Sequence, residues 1–162
     1  MLRLAPVRFS DPETQALVAR VQAEYVLRYG GEDDTPLAVG VFDPPQGAFF
    51  LGREDGVAVA MGGWRMRPDV LPFGGVLSAE VKRMYVVPEA RRRGHAGAVL
   101  AHLEETASTA GADAMVLETG TEQPEAIAMY VAAGFVLVGA FGHYTWSPKA
   151  RCFGKRLRSA EA

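Results

Sequence analysis

The sequence predicts an α+β fold (α/β mixed), a mostly antiparallel sheet with helices packed on it. Three observations predict it. Residues 48–66 hold two apolar, aromatic and β-branched runs on either side of Glu54-Asp55-Gly56, the pattern of a hairpin. Residues 78–119 read strand, helix, strand, and a crossover of that kind leaves its two strands parallel. Two further runs, 12–29 and 124–133, carry apolar residues at three- and four-residue spacing and are closed by Gly30-Gly31 and Gly134, so helices alternate with strands.

The elements follow in order. Leu2, Leu4, Val7 and Phe9 alternate as in a first strand over 2–9, with Pro6 suited to an edge or a bulge. Ser10 or Asp11 can cap the first helix, and Pro12 and Glu13 fit its first turn. Leu17, Val18, Val21 and Tyr25 make its apolar face. Glu32-Asp33-Asp34-Thr35-Pro36 is an acidic loop, either solvated charge or a collar that attracts a cationic amine. Strands at 48–53 and 57–66 flank the hairpin turn, and Gly62-Gly63 marks a bulge or a close backbone approach in the second. Residues 67–75 hold two prolines and two glycines and read as a loop before the strand at 78–87. The next helix opens at Ala98, runs to Ala110 and stops at Gly111. Residues 114–119 are a buried strand, and Pro124 opens a helix whose apolar face is Ile127, Tyr130 and Val131. Strands at 135–138 and 151–157 complete the sheet, and 158–162 is expected to fray.

A chain of 162 residues supports one domain, 1–162, with one good core. Apolar and charged content are those of a soluble globular protein. The net charge of −2 argues against nucleic acid as a partner, because such a partner selects a basic face. The lone Cys152 excludes an intrachain disulfide and is too little for a thiolate metal site, so no metal is expected. No apolar run approaches the roughly 18 residues of a membrane span, and 1–6 has no apolar signal region, so the expected compartment is the cytoplasm.

The chain is organised around residues 86–97, Val-Val-Pro-Glu-Ala-Arg-Arg-Arg-Gly-His-Ala-Gly, between a strand and a helix. The first turn of a helix offers unpaired N–H groups and the positive end of its dipole, and a phosphate can accept from both. Gly94 and Gly97 let a ligand come close to the backbone, and Arg91, Arg92 and Arg93 add charge. This reads as a pyrophosphate cradle. A Walker A loop and a dinucleotide fingerprint both need glycine spacings that the stretch lacks.

The spacing of Arg91-Arg92-Arg93-Gly94-His95-Ala96 resembles the acetyl-CoA loop of the GCN5-related N-acetyltransferases, or GNAT family. Gln123-Pro124-Glu125-Ala126-Ile127-Ala128-Met129-Tyr130-Val131-Ala132-Ala133-Gly134-Phe135 resembles the second motif of that family, with Gln123 in place of the usual Asn. Both fall within a core of about 78–138, in the expected order. His95 departs from the usual Ile or Val, and Arg92 from the usual Gly, yet neither removes a backbone donor. The resemblance implies a sheet of six or seven strands with about four helices. It also implies acetyl transfer from acetyl-CoA to a primary amine by direct attack in a ternary complex. Residues 91–97 and Gln123 would bind the cofactor, and the main-chain groups of Met84, Tyr85 and Val86 would meet pantetheine and acetyl.

That chemistry needs a neutral amine, a donor for the oxyanion and an acid for the departing thiolate. By resemblance Tyr130 is the acid. Glu80, eleven residues before Arg91, holds the position of the glutamate base in the histone-acetylating branch, and otherwise reads as a solvated strand-end carboxylate. Glu118 is a second contender, through a water. His143 and Tyr144 fit the lining of an acceptor pocket, and His102 has no visible role. The expected acceptor is a small amine or amino-acid-like molecule. A protein N-terminus or lysine is the alternative, as is an acyl-CoA-binding module without turnover. The resemblance also allows a homodimer.

Overall fold

Local signals end most of the elements in the computed structural model, which describes residues 1–157; the fraying expected at 158–162 lies outside them. In order the elements are β1 (Leu2–Pro6), α1 (Pro12–Tyr29), β2 (Gly47–Glu54), β3 (Val57–Arg67), β4 (Ser78–Val86), a 3₁₀ turn (Pro88–Ala90), α2 (His95–Thr109), β5 (Ala114–Gly120), α3 (Pro124–Ala132), β6 (Val136–Leu137) and β7 (Ala150–Arg156). The strands form one mixed sheet in the order β1-β2-β3-β4-β5-β7-β6. β4 and β5 are parallel, as the crossover predicts, whereas β1–β2, β2–β3, β5–β7 and β6–β7 are antiparallel. The fourth helical element is thus only the 3₁₀ turn.

The chain gathers into two compact units, Met1–Arg65 with Lys82–Leu103, and Met66–Val81 with the chain from Glu104. In the first, Asp11 caps α1 by accepting from Glu13 N–H at 2.9 Å, and Gly30 ends it at φ +78°. Asp55 and Gly56 both have positive φ and form the tight β2–β3 turn. Leu17 and Val21 of α1 are buried, as are Leu51, Met61, Val99 and Leu103, and the rings of Phe9, Phe42 and Phe49 stack within 5.1 Å of one another. Gly62 and Gly63 mark a close approach and not a bulge. A Cβ at Gly62 would lie 3.0 Å from Val99, and one at Gly63 would lie 2.4 Å from Phe49. The β2–β3 register shifts instead at Gly52/Arg53.

The acidic loop of this unit is a structural tie. Gln22 bonds both backbone groups of Asp33, at 2.9 and 2.8 Å, and the Asp33 carboxylate pairs with Arg83 and lies 3.9 Å from Lys82 Nζ. Burial pushes the Asp33 carboxyl up, but Lys82, the Thr35 hydroxyl and Arg83 together hold it well below the usual carboxylate range. Arg83 itself sits at φ +56° inside β4, so the tie pins a kink immediately before Met84.

In the second unit, β5 is the buried strand expected of Met115, Val116 and Leu117, all at most 1% exposed. β7 lies between β5 and β6, with Val116 opposite Gly154 and Glu118 opposite Cys152. β6 is shorter than predicted because Phe135 turns into the core, leaving Val136 and Leu137 as an exposed edge. Asp113 accepts from Val76 N–H at 2.7 Å and Leu77 N–H at 3.3 Å, which ties down the loop entering β4.

Candidate active site

The first unit contains the predicted cradle. β4 ends at Val86, Val87 N–H bonds back to the Val59 carbonyl at 2.9 Å, and the 3₁₀ turn reverses the chain. Arg92 (φ +65°) and Gly94 (φ +79°) then take left-handed conformations, which turn successive N–H groups into a concave nest. α2 begins at His95, three residues earlier than predicted, because small Ala96 and Gly97 continue the helical path where the sequence suggested a turn. Its first internal bond runs from Ala98 N–H to the Gly94 carbonyl at 3.1 Å, so the N–H groups of His95, Ala96 and Gly97 are the open ones of the first turn. A Cβ added at Gly94 or Gly97 would meet no atom within 4 Å. Open donors, open space and local positive charge fit a pyrophosphate.

The three arginines differ in what they hold. Arg91 turns back. Its Nε donates to the Val86 carbonyl at 3.0 Å, its Nη2 reaches Glu24 at 2.9 Å, and its guanidinium lies over Tyr85 at 5.6 Å. Burial pushes the Glu24 carboxyl up, and Arg91 with Arg28 brings it below its ordinary value. Arg93 pairs with Glu54, which also bonds His95 Nε2 at 2.9 Å. Arg92 alone is exposed with no carboxylate partner among the described residues. A second fork, Arg20 to Glu89 at 2.8 and 2.9 Å, ties the 3₁₀ turn to α1 and holds the Glu89 carboxyl down at about 2. The Val86 carbonyl, predicted to face the cofactor, is therefore taken by Arg91, while Met84 and Tyr85 follow the Arg83 kink.

The second unit holds the predicted acid and base. Glu80 is 2% exposed, so it is not a solvated carboxylate. It sits where β4 pairs with β5, opposite Val116, and its Oε1 accepts from Arg67 Nη1 at 2.7 Å. Arg67 also forks onto Asp69, at 2.9 and 3.0 Å, and lies 5.9 Å from the Phe141 ring centre. Glu118 stands beside Cys152, whose Sγ is 3.9 Å from Glu118 Oε2 and 3.5 Å from the Phe141 carbonyl. Burial, joined by the charges of Glu118 and Glu80, pushes the Cys152 thiol up and keeps it protonated. Gly142, at φ +91°, brings backbone against Glu118, since a Cβ there would lie 3.3 Å from both carboxylate oxygens.

Tyr130 is 7% exposed on α3, with its ring 5.9 Å from Phe135 and 6.5 Å from Phe153. Gln123 is the N-terminal cap residue of α3, and its carbonyl, not its side chain, accepts the first helical bonds. His143 is exposed and stacks edge-on against Tyr144 at 4.9 Å. His102, unassigned from sequence, packs its ring on Phe50 at 4.5 Å. No group of three or more metal-ligating side chains occurs among the described residues, and no described helix is long and apolar enough to cross a membrane.

Sequence reasoning missed Arg67, Asp69, Glu54 and Glu24. Each acts through a partner distant in the chain or across a turn, and no local pattern signals such a pairing.

Comparison with known proteins agrees with this geometry. The model of the Acetyltransferase (GNAT) family matches residues 14–135. An IAA acetyltransferase from Azospirillum brasilense is 34% identical over 129 residues, covering 80% of each chain. A crystal structure described as an acyl-CoA N-acyltransferase from Klebsiella pneumoniae superposes with a TM-score of 0.77 at 28% identity, covering 98% of this chain and 99% of that one. A GNAT acetyltransferase from Elizabethkingia anophelis, solved with acetyl-CoA bound, shares the fold at a TM-score of 0.68 and 13% identity, over 96% of this chain and 98% of that one. Motifs, sheet order and relatives agree: the chain belongs to the GNAT family and is an acetyl-CoA-dependent N-acetyltransferase.

Proposed function

We propose that the protein acetylates the primary amine of a small, amino-acid-like molecule by direct attack in a ternary complex. The observation that carries this reading is the nest at Arg92–Gly94, with the open N–H groups of His95, Ala96 and Gly97 behind it. Acetyl-CoA supplies an acyl thioester. The nest and the Arg92 side chain hold its pyrophosphate, and Gln123 is assigned to the cofactor by its place in the second motif alone. The main-chain groups of Met84 and Tyr85, with the Val86 N–H, orient pantetheine and acetyl, and a backbone N–H there steadies negative charge on the carbonyl oxygen. Tyr130 gives its hydroxyl proton to the departing sulfur. Glu80, buried and paired with Arg67, holds the ammonium and takes its proton through water, with Glu118 as the alternative acceptor. The buried Glu80 and the half-buried Glu118 of the second unit support a cationic acceptor.

Incubation with acetyl-CoA and a panel of arylalkylamines, polyamines, amino-acid esters and short peptides, following thiol release, tests the reading. Turnover of small amines above that of peptides is expected. Preference for peptides would make a protein the acceptor, and CoA binding with no thiol release would leave an acyl-CoA-binding module.

A further inference from the structure

Taking a charge out of water is costly unless it is paired and hydrogen-bonded, and Glu80 is 98% removed from water. Its pairing has an unusual division of labour. Arg67, the last residue of β3, commits two of its three guanidinium nitrogens to Asp69, Nε to Oδ1 at 2.9 Å and Nη2 to Oδ2 at 3.0 Å. That fork fixes the plane of the guanidinium, and the remaining Nη1 addresses Glu80 Oε1 at 2.7 Å. The Asp69 side chain is 64% exposed, Arg67 19% and Glu80 2%, so the chain of charges runs from water inward. The Asp69 bond, and then the charge of Glu80, outweigh burial and keep Arg67 protonated at every working pH.

We infer that Arg67, set by Asp69, is a positioning residue that holds the Glu80 carboxylate on the line the amine must approach. The inference rests on the role of Glu80 given above. Lysine replaces it only in part, because a single ammonium keeps the charge but has no rigid fork to share between two carboxylates.

A double-variant cycle tests this in the full chain, with saturating acetyl-CoA and the panel amine that turns over fastest. Thermal melts and CoA calorimetry serve as controls for folding and for the cradle. Arg67→Met is expected to lower kcat/KM by about 10- to 100-fold through misplacement of Glu80, to leave CoA affinity unmoved, and to add nothing in the Glu80→Gln background. Arg67→Lys restores part of the loss, and Asp69→Asn shows a smaller loss that also vanishes in that background. Losses that multiply in the double variant overturn the inference while leaving the role of Glu80 intact. A silent Glu80→Gln overturns that role and this inference with it. Where Arg67→Met does not fold, Asp69→Asn and its double variant complete the same cycle.

Discussion

The proposed cradle in the first unit and the proposed acid and base in the second are built on opposite plans. In the proposed cradle the working groups are backbone N–H groups, and the side chains around them serve as scaffolding. Arg91 holds Glu24, Arg93 holds Glu54, and His95 shares Glu54. In the proposed acid and base the working groups are side chains, Tyr130 and Glu80, and the backbone carries them. A site made of main chain tolerates His95 where the family has Ile or Val, because every residue but proline brings the same N–H. A site made of side chains has no such tolerance. The arginine triplet illustrates the point, since charge that looked available to a phosphate is largely spent on holding the loop.

Variants can break or sharpen this contrast. The largest effect is expected at Tyr130. Tyr130→Phe keeps the ring against Phe135 and Phe153 and removes the proposed acid, so kcat should fall by about 10²–10⁴-fold with CoA affinity unchanged. Unaltered kcat, measured by thiol release, would make Tyr130 a packing residue. Next is Gly94→Glu. The left-handed φ of +79° strains any side chain there, and the new carboxylate opposes an anion. Calorimetry should show CoA binding weakened by about 100-fold or more; unchanged affinity in the folded variant would remove the cradle assignment.

Glu80→Gln comes third. A free amine with a pKa near ~10.4 is almost wholly protonated at pH 7. A pH–rate profile should therefore show a loss of about tenfold or more near neutrality that shrinks as pH rises toward the amine's own pKa. Parallel profiles would mean that Glu80 only positions the amine, and superimposed ones would move the base to Glu118. The smallest effect belongs to Arg92→Ala. Removing one exposed charge beside a backbone nest should weaken CoA binding by about two- to fivefold, and less as salt rises. A hundredfold loss would show that the cradle works through side chains after all.

Much of the fold was legible because its signals are local. Asp11-Pro12, Gly30, Asp55-Gly56 and Gly134 each act within a few residues of themselves, and each ends or turns an element where the sequence predicts it. α2 starts earlier than the sequence predicts, since no Ser, Asp or Thr caps it, and Gly97 reads as a turn residue although it lies within the first helical turn. Gly62-Gly63 left a bulge and a close approach open, and only the packing of Phe49 and Val99 decides between them. The candidate cradle residues and Glu80 stand out through motif spacing. The Arg67–Glu80 pair, the Glu54–His95 bond and the Asp33–Arg83 tie do not, because partners 13, 41 and 50 residues apart leave no periodic trace.

The place of β7 has a consequence for how the chain reaches its native state. The strand that joins β5 to β6 comes after both of them in sequence. During synthesis β5 emerges with one long edge bare, and its seven-residue ladder with β7 cannot form until the ribosome has released the segment after 150. An apolar strand with an unpaired edge is a template for pairing with another chain. A partly folded chain in which β7 has not yet docked therefore leaves the β5 edge open to other chains, and that edge is the one a chaperone has to shield.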